Sequence, residues 1–197
     1  MRRWTATVAT LALAAFALVT PAAANAFVEP ATGTFEMTTA PGILPTWTST
    51  DISLVALAPG MVTTSRFAND ATVTLPVVAR AQTANATAGG FRLINTETGD
   101  SVRCVIPVVD TRARVIDCVT SAGYNSALFT IEDIDDRERF TVDNSRTTIF
   151  TGMDIRLTRI GALTLNRDLS TTVFSTSVQI ATGQLSVTRE ISRSARR

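Results

Sequence analysis

Short runs in which polar and apolar residues alternate, each stopped by a turn signal, recur along most of this chain and limit what it can become. In 101–109, Val102, Cys104, Ile106 and Val108 fall on one face at period two. In 71–79, Val73, Leu75 and Val77 alternate with Thr72, Thr74 and Pro76. Pro76 cannot donate a ladder hydrogen bond, so it predicts an edge strand or a bulge there. Similar runs predict strands at 33–39, 51–58, 89–95, 115–120, 126–131, 139–142, 147–150 and 153–160. A last hairpin is expected from 172–180 and 184–191, turning through Thr182-Gly183. The loop 96–100 between two of these strands places Gly99 where a left-handed residue is wanted.

Helical signals are scarce. Ala40-Pro41-Gly42 reads as a turn with an extended continuation over 45–48, and only 161–170 predicts a short helix, with Leu163, Asn166 and Arg167 at helical spacing. Parallel α/β folds need several longer helices between strands, so that class is excluded. The expectation is all-β: a single antiparallel β-sandwich, or barrel-like, domain of about ten short strands with one disulfide inside a hairpin.

The N-terminus predicts export. Arg2-Arg3 precede an apolar run over 5–19, and Ala24 and Ala26 place a cleavage site before Phe27. A membrane anchor is the alternative, but the apolar run is about 15 residues, short of the ~20 a spanning helix needs. The arginine pair is followed by Trp4, Thr5 and Ala6. That context favours general secretion over the twin-arginine route. The predicted organisation is therefore a signal peptide over 1–26, a β-domain over 27–190 and a basic disordered tail over 191–197. No transmembrane helix is expected in the mature chain, which is read as secreted or held in the cell envelope.

The titratable residues exclude much chemistry. The chain has 18 basic and 17 acidic residues and no histidine, and every basic residue is arginine. Without histidine there is no Ser-His-Asp or Cys-His site, and no His-ligated zinc or heme. Without lysine there is no phosphate-binding P-loop and no Schiff base. Charges of both signs are interleaved, so no basic face for nucleic acid is expected. An enzyme is not expected, nor a cofactor, apart from a candidate calcium site. Glu132, Asp133, Asp135, Asp136 and Glu138 crowd seven positions, and hard cations want several oxygens. The spacing fails the EF-hand pattern, since position six from Asp133 is Glu138 and position twelve is Asn144. The bland alternative is a solvated turn with local Arg137 and Arg139 pairing.

Cys104 and Cys118 are the only cysteines. In an exported chain they predict a structural bridge. With a turn near Thr111, Cys104 faces Cys118 and Ile106 faces Ile116. Asn85-Ala86-Thr87 matches a glycosylation acceptor within 82–90, a stretch expected to be a mobile surface loop. Trp47 and Tyr124 lie beside predicted turns and are candidate exposed contacts for a partner or a sugar ring.

The leader, the Gly89-Gly90-Phe91 strand start and the segment from Leu165-Asn166 to Leu185 together resemble small secreted β-domain proteins of high-GC Gram-positive bacteria. That resemblance names no family and implies no functional residues. The favoured reading is a non-catalytic secreted or envelope protein that binds or scaffolds an unknown envelope or extracellular partner. The alternatives are a subunit of an envelope pore or oligomer, and a carboxylate-based glycan hydrolase.

Overall fold

The computed structural model describes residues 29–120, 123 and 125–191. The predicted leader and its cleavage residues Ala24, Ala26 and Phe27 lie outside the described residues, as do Tyr124 and positions 192–197. In chain order the elements are β1 (Glu29–Thr39), α1 (Ile43–Ser49), β2 (Ile52–Leu57), β3 (Met61–Ser65), β4 (Asp70–Ala81), β5 (Ala84–Thr87) and β6 (Gly90–Asn95). They continue with β7 (Ser101–Asp110), β8 (Val115–Val119), β9 (Asn125–Asp133), β10 (Asp136–Val142), β11 (Ser145–Leu157), α2 (Arg159–Asp168) and β12 (Gln179–Glu190).

The fold is all-β and antiparallel, and of the two expected forms it is the barrel. Hydrogen-bonded neighbours run β7-β5-β4-β1-β12-β11-β9-β8 and return to β7, which closes an eight-stranded ring. Outside it, β6 continues from β7 and carries β2, β3 pairs with β4, and β10 pairs with β11. Alternation puts Phe35, Leu75, Ile116, Ile131, Met153, Ile155 and Leu185 inside, each no more than 1% exposed. Eight strands enclose a space just wide enough for such side chains. The apolar residues therefore face inward and fill the ring, the reverse of the polar lumen of a membrane pore. No helix among the described residues is long and apolar enough to cross a membrane.

Several local expectations are corrected. The run 147–150 and most of 153–160 are one strand, β11, which ends at Leu157 and has a register shift between Phe150 and Met153 around Gly152 with φ +62°, while Arg159 and Ile160 open α2. A bulge inserts one residue and so hides the continuity of a period-two pattern. Thr182-Gly183 is no turn: both lie inside β12, which pairs with β1 and β11 along nearly its whole length, and of the expected strand 172–180 only Gln179 and Ile180 belong to it. Pro76 does not mark an edge, because β4 pairs with β1 on one side and with β3 and β5 on the other. The bulge it predicted is present on the β5 side, between Val77 and Ala79.

The segment at 82–90 is not a surface loop. It contains β5, the four-residue strand that closes the ring between β4 and β7. Side chains reinforce this short seam. Asn85 Nδ2 donates to the carbonyls of Thr83 and Val109, and Thr87 Oγ1 donates to that of Pro107. Asn85 and Thr87 are 3% and 0% exposed, so the glycosylation motif is part of the wall.

The helices stand at one end of the ring. α2 begins two residues before its predicted span, because Thr158 caps it by accepting from Gly161 N at 2.9 Å. α1 replaces the predicted extended segment 45–48. Gly42, with φ +83°, starts it, and Pro45 sits in its first turn where no helical N–H is needed.

A cationic cavity at the open end of the barrel

The disulfide is present, with Cα atoms of Cys104 and Cys118 4.9 Å apart and both residues buried. The expected register is not. β7 and β8 shift between Val105 and Val108. Ile106 takes a left-handed φ of +48°, donates its N–H to Gly89 O at 2.7 Å and turns outward, 49% exposed. It therefore does not face Ile116. The inserted residue reverses the inward phase, so Val102 and Cys104 point in before it and Pro107 and Val109 after it.

Trp47, a candidate exposed contact from the sequence, is instead buried, 6% exposed. Its ring meets Phe174 with centroids 5.8 Å apart. The two plug the helix end of the barrel together with Met37, Phe91, Phe129, Leu165 and Ile180, leaving about 10 Å³ of free space.

The acidic stretch spans β9, a two-residue break and β10. Glu132, Asp133, Asp135, Asp136 and Glu138 are all exposed. Asp133 and Asp136 each accept the N–H of the following residue, from Ile134 at 2.9 Å and from Arg137 at 2.6 Å. Among the described residues, no group of three or more His, Cys, Asp or Glu is placed to hold a metal ion. Strand geometry explains the dispersal, since neighbouring side chains leave on opposite faces. The stretch has another use. β10 continues β9 along the same edge of β11, raising one wall of the barrel beyond the turn that ends β7.

Behind that wall the end away from the helices is open. Arg80 on β4 pairs in register with Glu29 at the start of β1, while Thr39 at the far end of β1 lines the plugged helix end. A cavity of about 400 Å³ opens here, lined by Arg80, Asn85, Arg112, Arg137, Thr148 and Phe150, with Ile134 and Val187 completing the apolar surface. The volume is within the range of sites that take small organic ligands.

The charge of the lining is one-sided: three guanidiniums and no carboxylate. The Arg137 guanidinium lies over the Phe150 ring, 5.1 Å from its centroid. Burial and the neighbouring Arg189 lower the pKa of Arg80, with Arg139 and Arg146 adding to the effect and Glu29 opposing it. An arginine stays charged under such a shift, so the cavity keeps its positive charge. Asn85 lines the same cavity, and its Oδ1 is buried without a hydrogen-bond partner among the described residues.

Sequence reading missed this site, because its arginines come from β4, a turn and β10, dispersed over some 57 positions. The one available signal was the choice of Arg in alternating strand positions. The carboxylates whose pKa is shifted, Asp100, Asp110 and Asp117, lie elsewhere. Burial and the nearby Asp110 raise the Asp117 pKa. In Asp110, burial is outweighed by the N–H groups of Ala113 and Arg112 and the Thr83 hydroxyl, which lower it. Neither residue lines the cavity.

Two solved structures share the fold. The heme binding protein HtaB from Corynebacterium glutamicum superposes with a TM-score of 0.55 at 15% identity, covering 83% of this chain and 95% of that one. The C-terminal domain of HtaA from Corynebacterium glutamicum gives a TM-score of 0.51 at 7% identity, covering 80% and 98%. Likeness at these identities establishes the fold alone. By sequence, the chain matches no family model and no curated protein. The expectation that no cofactor is involved is corrected by the first likeness, because the barrel this chain shares is that of a heme-binding protein.

Proposed function

We propose that this chain is an exported, non-catalytic binding protein of the envelope or its surroundings, and that its ligand is heme or a close chemical relative. The observation that carries the reading is the open, arginine-lined cavity at the end of a barrel whose interior is filled by apolar side chains. The HtaB likeness supplies the ligand class. The predicted leader and the resemblance to secreted proteins of high-GC Gram-positive bacteria support export.

Heme presents two apolar faces and two propionates. Ile134, Phe150 and Val187 suit the former, and Arg80, Arg112 and Arg137 suit the latter. The iron fits less well. Heme proteins ligate iron through His, Cys, Met or Tyr, and none of these is in the cavity lining. The chain has no histidine, and both cysteines are in the disulfide. Its one tyrosine, Tyr124, lies outside the described residues. The described lining thus fits the porphyrin and its carboxylates rather than its metal.

Titration of hemin into the purified full chain, followed by the shift of the main porphyrin absorption band, tests the reading. The expected result is saturable binding at one hemin per chain. A spectrum that stays that of free hemin throughout would sink it.

A further inference from the structure

We infer that the cavity selects its ligand by carboxylates, so that a metal-free dicarboxylic porphyrin is bound as well as heme. This rests on the functional reading above and says what that site recognises.

Two observations support this. First, the lining concentrates positive charge and contributes no carboxylate of its own. Arg80, Arg112 and Arg137 come from three different parts of the fold and converge on one cavity that holds no acid. Ion pairs between arginine and carboxylate occur elsewhere on this chain, as between Arg189 and Glu29 at 3.1 Å and between Arg156 and Asp154 at 3.0 Å. Among the described residues, none of the three cavity arginines forms an ion pair with a carboxylate. Bringing like charges together costs free energy unless an anion is expected.

Second, the apolar part of the lining sits beside the cations rather than apart from them. Phe150 lies under the Arg137 guanidinium, with Val187 and Ile134 in the same cavity. That arrangement suits a flat apolar body with carboxylates at one edge. A guanidinium binds such carboxylates in a two-pronged geometry. Nothing in the lining addresses a metal.

The test compares hemin, metal-free protoporphyrin IX and protoporphyrin IX dimethyl ester, each titrated into the full chain and into the variant R112E/R137E. Both substituted arginines are exposed, and a thermal melt confirms that the variant folds. The expected result is hemin and protoporphyrin IX binding within about threefold of each other. Ester and variant should each lose roughly tenfold or more, as expected when charge-assisted hydrogen bonds are removed. If hemin binds but the metal-free porphyrin is tenfold weaker, iron contacts lead recognition; this inference falls and the heme reading stands. Hemin binding unchanged in the variant also overturns it, because the site is then elsewhere. If neither porphyrin binds, both fall.

Discussion

Asn95, at the end of β6, donates through Nδ2 to the carbonyl of Leu169 at 2.8 Å, joining the outer hairpin to the C-terminal end of α2. Its Oδ1 accepts the N–H groups of Glu97 and Thr98 and so also shapes the 96–100 loop. The residue is 4% exposed. Asn95→Ala would strand several buried groups at once, and the expected cost is about 1–3 kcal/mol. A urea titration reads this as a lowered midpoint; an unchanged midpoint would mean the loop and helix hold without it.

The Cys104–Cys118 bridge encloses the β7–β8 turn, which also forms part of the cavity rim through Arg112. In the chain-entropy model a loop of about 15 residues is worth about 3 kcal/mol. Replacing both cysteines with alanine should lower stability by about that much while leaving the strand signal in circular dichroism intact. Equal denaturation midpoints with and without the bridge would contradict this.

Asp117 gives a prediction with a definite sign. Burial first, and then Asp110, raises its pKa above the ordinary 3.8. The folded chain therefore binds the proton more tightly than the unfolded one, and stability falls as pH rises from about the ordinary value through the raised one. Asp117→Asn should stabilise the protein at neutral pH, with the gain vanishing in acid below the unfolded pKa. Melting temperatures across pH 3–7 check this (roughly the carboxylate range); a variant less stable than the parent at pH 7 would contradict it.

How far the sequence foretold the fold depended on where period two held. β6 and the first half of β7 keep the alternation, and their placement, like that of β2, was legible to within a residue or two. The pattern failed where one residue was added. At Ile106 and near Gly152 the phase reverses, so an outward side chain reads as core and one strand reads as two. Such bulges answer to neighbours far away in sequence, as Ile106 does to Gly89.

Other elements lack a local signal. β5 is small and polar, reads as a loop, and is a strand because β4 and β7 flank it. α1 has seven residues, including a proline and two threonines, and depends on the burial of Trp47 against Phe174. Isolated helices so short are not stable on their own. The disulfide was legible because it needed only two cysteines and a hairpin. The cavity was not, since no single segment contains more than a fraction of it.

The central claim is that ligand enters at the arginine-lined end and leaves the helix end undisturbed. Hydrogen exchange of the full chain, measured by mass spectrometry with and without hemin, tests this most directly. Slowed exchange is expected around 80–85, 111–114 and 134–137, with 43–49 and 159–168 unchanged. Protection concentrated in α1 and α2, with the arginine-bearing segments exchanging as before, would contradict the account.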